Sequence, residues 1–387
     1  MKILTSHPIQ YQAPLFRELV AAGLAIEVGF YHPGAAGRVV HDAEFGCDFE
    51  WDIDLLSGYP SRTFLRGTAN FLPTEQLRVA RKLIPWVLRD NRIPLLLMGW
   101  SAEVVWVAWL LRILMHSPVL ILAETTPLSF VKSHKPKWRV KLLQWLLRHT
   151  SGAIFIGIRN REFLLGMGIP VNRLFHAPYS IDNERFRSNA NRMMAGRRDL
   201  CRQYGLDLDL PVFLFCGKLI PKKRPVQLFT AYLAADLKDR AQLLYVGEGE
   251  LRGEIENGIR SASARHVHLI GMLNQAQMPI AYVLGEVLCL ISDPGETWGL
   301  VVNEALACGR PVIVADTVGC VPDLVSDKNG WVVPLDNDEI LTDTLLSAYN
   351  HRNKWKEMGI HGQSLVARNT FSTMASGFKA AVSSISV

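Results

Sequence analysis

The sequence predicts an α/β protein of two domains, each a parallel sheet covered by helices. Three observations carry that reading. Apolar runs of strand length alternate along the chain with longer segments of helical periodicity. A polar, basic stretch at residues 187–199 breaks the alternation near the middle, and residues 207–211 end the interruption. With 387 residues, of which 49% are apolar, there is material for two cores rather than one.

Taken in order, strand-like runs fall at residues 2–5, 25–30, 95–98, 119–123 and 153–156 in the first half. In the second half they fall at 212–216, 242–246, 267–269, 287–291 and 311–315. Helical patterns at 12–22, 75–89, 102–115, 137–149, 225–234, 250–261 and 299–307 lie between many of them. Repeated βα units imply parallel sheets with helices on their faces. The expected division is a first domain over 1–186, a linker over 187–210 and a second domain over 211–365. A C-terminal helix within 366–387 is expected to pack back on the first domain. Ligands of such folds bind in a cleft at the carboxyl ends of the strands.

Composition excludes several classes. The apolar content is too high for disorder, and 29 glycines with 20 prolines exclude a collagen-like or low-complexity chain. The six cysteines are scattered without a C-x-x-C pair, which points to a reducing cytosol rather than a disulfide frame or a zinc site. Residues 1–6 read as a first strand and not as a secretory leader. The greasiest stretch, 93–122, is interrupted by Pro94, Glu103, Arg112, His116 and Pro118. A spanning helix needs about 20 consecutive apolar residues. The expectation is a cytoplasmic protein, either free or peripheral on the inner face of the membrane.

The net charge of +6 is unevenly placed. Residues 1–186 hold 21 Lys+Arg against 15 Asp+Glu, whereas residues 187–387 hold 21 of each. No acid occurs between Glu124 and Glu162, although Lys132, Lys135, Lys137, Arg139, Lys141, Arg148, Arg159 and Arg161 do. On a helix, Lys137, Lys141, Gln144 and Arg148 form one stripe, beside an apolar face of Trp138, Leu142, Trp145 and Leu146. Such a helix either lies on anionic lipid, with Lys137, Lys141 and Arg148 as contacts, or is a core helix with a solvated stripe. Nucleic acid is disfavoured, because no reading motif accompanies the charge.

Three segments of the second half carry chemistry. The strand ending at Cys216 runs into Gly217 and then Lys218, Lys222, Lys223 and Arg224. Cations at a strand's carboxyl end beside a helix start suit a diphosphate, although a solvated basic loop looks the same. The second segment runs from Asp293 to Val312, with Glu296 in a loop and Glu304 in a short helix, seven residues between them. The amides of Trp298, Gly299 and Leu300 form the helix start, which favours an anion. Glu304 is either an acceptor for both hydroxyls of a ribose or a solvated helix residue, and Glu296 either an acceptor for a second sugar or a turn residue. The third segment, around Gly319 and Asn329-Gly330, carries turn signals.

In this order, residues 213–371 resemble the donor half of a retaining family 4 (group 1) glycosyltransferase. The family's G-R/K-L-x-x-x-K loop is matched by Gly217, Lys218, Leu219 and Lys223, and its paired glutamates by Glu296 and Glu304. The following E-A-x-A-x-G-x-P-V run is matched from Glu304 to Val312, and the N-G-x-L-V-x-P turn is approached by residues 329–334, with Trp331 in the leucine position and no residue between Val333 and Pro334. The first half is similar through His7-Pro-Ile-Gln-Tyr11, with Gln10 and Tyr11 in that loop. It is similar again through the hinge segment 176–186, where Ser180 replaces a glycine. Where many relatives have a histidine after the fourth strand, this chain has Glu124.

The resemblance implies the GT-B fold, two Rossmann-like doubly wound domains facing a central cleft. It implies a nucleoside diphosphate sugar as co-substrate, no other cofactor, no metal, and a glycan or lipid-linked acceptor. Glu296, Lys218, Lys223 and Glu124 are the expected catalytic groups. Gly217, Thr297, Trp298, Gly299, Leu300 and Glu304 are expected around the donor, with backbone at Gly271 and Met272 beside the base. His7, Gln10 and Tyr11 would form the cleft loop of the first domain. The alternative reading is a sugar-nucleotide epimerase of similar architecture. The triplets Asp52/Asp54, Asp207/Asp209 and Asp336/Asp338 are read as coincidental rather than metal-binding.

Overall fold

The computed structural model describes residues 1–34, 39–42, 46–65 and 73–385. They divide into two compact units, the first of residues 1–40, 49–180 and 369–387, the second of residues 41–48 and 181–368.

The chain opens with β1 (Lys2–Thr5), α1 (Gln12–Ala21) and β2 (Glu27–Phe30). A ribbon of β3 (Val40–Asp42) and β4 (Cys47–Phe49) precedes β5 (Ser61–Thr63) and α2 (Pro73–Leu88). Next come β6 (Leu95–Met98), α3 (Glu103–Leu114), β7 (Val119–Leu122), α4 (Pro127–Lys132) and α5 (Lys137–Arg148). β8 (Gly152–Phe155), α6 (Ile158–Gly166) and β9 (Leu174–His176) complete the first sheet. The order β5-β2-β1-β6-β7-β8-β9 is parallel throughout. The winding direction reverses between β1 and β6, so the loops after those strands flank a topological switch point.

The second unit begins with α7 (Asn183–Met194) and α8 (Arg197–Gln203). It continues through β10 (Val212–Cys216), α9 (Pro225–Ala234), β11 (Gln242–Val246), α10 (Arg252–Ala262) and β12 (Val267–Leu269). Then follow α11 (Met278–Leu284), β13 (Val287–Leu290), α12 (Leu300–Ala307), β14 (Val312–Ala315), α13 (Val321–Leu324) and β15 (Gly330–Val333). α14 (Asp338–Asn350) and α15 (Trp355–Val366) end it, and α16 (Phe371–Ser383) closes the chain. The sheet order β12-β11-β10-β13-β14-β15 is again parallel, with its switch between β10 and β13. Strands β10, β11, β13 and β14 are buried along their whole length, which is why they read as unbroken apolar runs.

The boundary differs from the expected one. Residues 187–203 are not a linker: they lie in α7 and α8, which pack on α11 and α12 inside the second unit. Their composition is polar because α7 buries only a narrow stripe, Phe186 and Ala190 one turn apart, and turns its other faces to solvent. Asp182 starts the helix by accepting the amide of Arg185 at 3.0 Å. The division falls after Ser180, whose hydroxyl donates to the carbonyls of Pro178 and Thr370. α16 packs on α1, β8 and β9 of the first unit. A Cβ at Gly377 would stand 2.1 Å from the carbonyl oxygen of His176, so only glycine permits that approach.

The 93–122 stretch resolves into β6, α3 and β7, and among the described residues no helix is long and apolar enough to cross a membrane. On α5, Leu143, Leu146 and Leu147 are buried, whereas Trp138, Leu142 and Trp145 are exposed. Of the apolar face read from the sequence, Leu146 lies in the core and Trp138, Leu142 and Trp145 do not. Lys137, Lys141 and Arg148 are exposed, and Arg148 leans on Gly168, where a Cβ would meet its Nε at 2.5 Å. Cys201, Cys216, Cys289 and Cys320 are buried free thiols and Cys308 is half-buried; the side chain of Cys47 lies outside the described residues.

Candidate functional site

Four glycines of the second unit adopt positive φ at the carboxyl ends of its strands. Gly217 (φ 145°) follows β10, Gly247 (φ 147°) and Gly249 (φ 154°) follow β11, and Gly271 (φ 80°) follows β12. A Cβ at Gly247 would lie 1.9 Å from the carbonyl oxygen of Gly217, and one at Gly249 would lie 2.5 Å from that of Leu219. The two loops therefore run backbone against backbone. Hydrogen bonds from Gly217 N to Val246 O (2.9 Å) and Leu219 N to Glu248 O (2.8 Å) fasten them. Gly247 N donates to Gly271 O at 2.8 Å, which draws in the Gly271–Met272 segment. Glu248 is paired with Arg252 at 2.5 Å, and its Oε1 lies 3.2 Å from where a Cβ at Gly271 would be.

Across the switch, the loop after β13 meets the basic loop after β10. Asp293 N donates to Lys222 O at 2.9 Å, and the Lys223 ammonium donates to Glu296 Oε2. Lys222 Nζ stands 3.8 Å from the same oxygen. Glu296 is largely enclosed, with 14% of its side chain exposed, so this charge cluster is only partly solvated. Lys218 is half-buried at the base of the same loop. Arg224 leaves the group: with φ at 50° it turns away to Asp336 (2.7 Å) and the carbonyl of Leu335 (3.2 Å).

The loop carrying Glu296, Thr297, Trp298 and Gly299 is braced from behind by the turn after β14. Gly319 N donates to Glu296 O (3.1 Å) and Cys320 N to Trp298 O (3.0 Å). A Cβ at Gly319 would lie 1.7 Å from Thr297 O, so the turn signal in the sequence marks a close approach. Trp298 is buried and its indole donates to Asn303 at 2.8 Å. Gly299, left-handed at φ 94°, introduces α12, whose leading amides from Leu300 onward have no partners within the helix. A helix start and two lysines thus share one edge of the sheet, an arrangement suited to an anion.

Glu304 differs from the expectation of an open carboxylate. It is 0% exposed and accepts the Tyr282 hydroxyl at 2.5 Å. α12 is almost wholly buried, from Val302 to Ala307, which puts its acid inside. The Cys216 thiol is pushed up first by burial and then by the nearby Glu304 charge, and the same causes act on Cys308. In this conformation Glu304 ties α12 to α11 through Tyr282.

In the first unit, Glu124 follows β7 and accepts the Tyr179 hydroxyl at 2.6 Å. Burial and that carboxylate hold the phenol of Tyr179 well above its ordinary range, with Tyr11 adding to it. His7 and Tyr31 lie at the ends of β1 and β2 in a pocket of about 360 Å³ with Ser6, His32 and Ser101. The His7 imidazole is pushed down by burial and by His32, whose ring stands 6.3 Å away edge-on. Gln10 and Tyr11 are half-buried just before α1.

Sequence reasoning missed Tyr282, Gly247, Glu248 and Gly249. Two glycines one residue apart after a buried strand were a readable sign of close backbone approach. Tyr282 had no local signal, because its partner lies 22 residues away. Asp54 and Asp207 serve their own turns, Asp54 accepting the amides of Leu56 and Ser57 and Asp207 that of Asp209, whereas Asp336 pairs with the distant Arg224. Among the described residues no cluster of three His, Cys, Asp or Glu could hold a metal ion.

Residues 197–364 match the family model described as glycosyl transferases group 1. An uncharacterized glycosyltransferase of Methanocaldococcus jannaschii is 30% identical over 155 residues, 39% of this chain and 40% of that protein. A GDP-mannose-dependent alpha-(1-6)-phosphatidylinositol monomannoside mannosyltransferase of Mycobacterium tuberculosis is 24% identical over 298 residues, 73% of this chain and 76% of that protein. Among solved structures, sucrose-phosphate synthase from Thermosynechococcus elongatus superimposes with a TM-score of 0.74 at 16% identity, covering 98% of this chain and 97% of the other. HepE of Anabaena, solved with UDP and glucose, gives 0.73 at 15% identity, covering 99% and 100%. These likenesses place the chain in the GT-B fold, and residues 197–364, less than half of it, are similar to the group 1 glycosyl transferases.

Proposed function

We propose that this protein transfers a sugar from a nucleoside diphosphate sugar to a hydroxyl of a glycan or lipid-linked acceptor, with retention of anomeric configuration and without a metal. The observation that carries the reading is the meeting of Lys223, Lys222 and Glu296 beside the start of α12 at the switch point of the second sheet. Similarity to a GDP-mannose-dependent enzyme and to a structure holding UDP and glucose supports the donor class.

In this reading the diphosphate lies against Gly217, Lys218 and Lys223 and the amides at Leu300, and the base lies near Gly271 and Met272. The bond between the anomeric carbon and the diphosphate oxygen breaks, and negative charge grows where the ammonium groups and helix start stand. The acceptor oxygen attacks the same face of an oxocarbenium-like carbon, and its proton passes to the departing phosphate oxygen. Glu296 accepts donor-sugar hydroxyls while its other oxygen stays on Lys223. Acceptor recognition is assigned to the first unit, around His7 and Tyr31.

The test is thermal shift against UDP-, GDP- and ADP-sugars, followed by NMR of the product anomer formed in EDTA. A donor that raises Tm and gives a retained glycoside is expected. An isomerised free sugar nucleotide with no transfer product would favour the epimerase instead. Inversion, or dependence on added metal, would remove those two parts of the proposal.

A further inference from the structure

The loop that follows β7 is clamped on both sides of Glu124. Asn160, in the first turn of α6 and only 2% exposed, donates from Nδ2 to the carbonyl of Ala123 at 2.7 Å and to that of Thr125 at 2.9 Å. Its Oδ1 accepts the amide of Ile156 at 3.1 Å, so both ends of the side-chain amide are engaged inside the protein. The next residue, Thr126, starts α4 in a reciprocal capping box with Ser129, through bonds of 2.9 Å and 3.2 Å. The Glu124 backbone cannot shift without breaking bonds to a buried side chain.

The side chain is fixed as well. Tyr179 is buried and donates its hydroxyl to Glu124 Oε1 at 2.6 Å. The Tyr179 amide donates to Ile156 O at 3.2 Å, so Ile156 joins the residue that holds the backbone to the one that holds the carboxylate. Fold stability does not require such a pair, because apolar groups of the same shape can replace both hydrogen-bonding partners at little cost. What the pair achieves is placement. A half-buried carboxylate stands at the end of β7, beside β6 at the switch of the first sheet, where ligands of such folds bind.

We propose that Glu124 is a specificity residue that admits an uncharged sugar and excludes an acidic one, with Tyr179 as the positioning residue that aims it. An ionised carboxylate only accepts hydrogen bonds, so the hydroxyls of a neutral sugar are matched to it. A carboxylate that is already aimed needs no reorganisation to receive them. The carboxylate of a uronic acid in the same place meets a like charge in partly desolvated surroundings. The inference rests on the sugar-transfer reading above and adds to it the charge class of the sugar. Two sugars take part in that reading, the transferred one and the acceptor, and separate arms of the test distinguish them.

In the first arm, kcat/KM for release of nucleoside diphosphate is measured without acceptor for matched donors: UDP-glucose against UDP-glucuronate, GDP-mannose against GDP-mannuronate, ADP-glucose against ADP-glucuronate. In the second arm the uncharged donor is kept, and methyl glucoside is compared with methyl glucuronide as acceptor. The wild type should favour the uncharged member by more than about tenfold in one arm, and Glu124→Gln should bring that ratio close to one. Tyr179→Phe should lower kcat/KM for the uncharged sugar by about tenfold or more, and should cost nothing further on Glu124→Ala, because a positioning residue acts only through the group it holds. Far-UV circular dichroism reports that the variants fold. A ratio unchanged in Glu124→Gln, or a wild type that is indifferent to charge or prefers the acidic member in both arms, overturns the proposal and leaves sugar transfer standing. A loss from Tyr179→Phe that persists in full on Glu124→Ala overturns the role of Tyr179. No diphosphate release from any uncharged donor would remove the sugar-transfer reading, and this inference with it.

Discussion

The Tyr282 hydroxyl donates to Oε2 of Glu304 at 2.5 Å, and both side chains are shut off from solvent. α11 and α12 are thereby tied together beneath the loop that carries Glu296. A buried carboxylate that loses a donor keeps its desolvation cost. Tyr282→Phe should therefore destabilise the fold by about 2 kcal/mol, read as a lower denaturant midpoint with an unchanged slope. A midpoint equal to wild type would show that the bond contributes nothing.

Lys223 and Lys222 approach the same oxygen of Glu296, but only Lys223 bonds to it. Lys223→Ala should lower kcat by about a hundredfold, the scale found when one group stabilising developing charge is removed. Lys222→Ala should cost clearly less. Initial rates at saturating donor separate the two, and equal losses would contradict the geometry.

Gly319 stands where any side chain would strike Thr297 O, at 1.7 Å from an added Cβ. Gly319→Ala has to displace either the β14 turn or the Glu296 loop. Turnover should fall by more than about tenfold while far-UV circular dichroism stays native, since a displaced catalytic group loses rate without loss of the core. A fully active, equally stable Gly319→Ala protein would show that the brace is dispensable.

Burial pushes the imidazoles of His7, His176 and His268 below the ordinary value, with neighbouring histidines adding to the shift at His7 and His268. The folded protein therefore prefers them neutral, whereas the unfolded chain binds their protons at about pH 6.5. Their contribution is complete above that pH and is lost as pH falls toward and through the folded values. Tm measured from about pH 8 to pH 5 should fall on the acid side of about 6.5. His268→Gln should flatten part of that slope; an unchanged slope would exclude His268 from the effect.

Much of the fold was legible locally. Fully buried parallel strands such as β6 and β10 are unbroken apolar runs, and the helices between them keep an apolar stripe. β5 and β9 were not legible, because short edge strands with partly exposed residues lack both period and greasiness. α7 and α8 were read as linker for a related reason: their helicity depends on partners elsewhere in the chain.

The chemistry divides along the same line. The sequence alone determined that Gly217, Lys218, Lys223, Glu296 and Gly319 stand in loops following strands, because turn residues and apolar runs act on their near neighbours. Only the tertiary structure decided that Lys223 rather than Arg224 faces Glu296 and that Glu304 is enclosed with Tyr282. Those are contacts between residues distant along the chain, set by how strands order themselves in a sheet, and no local pattern encodes that order.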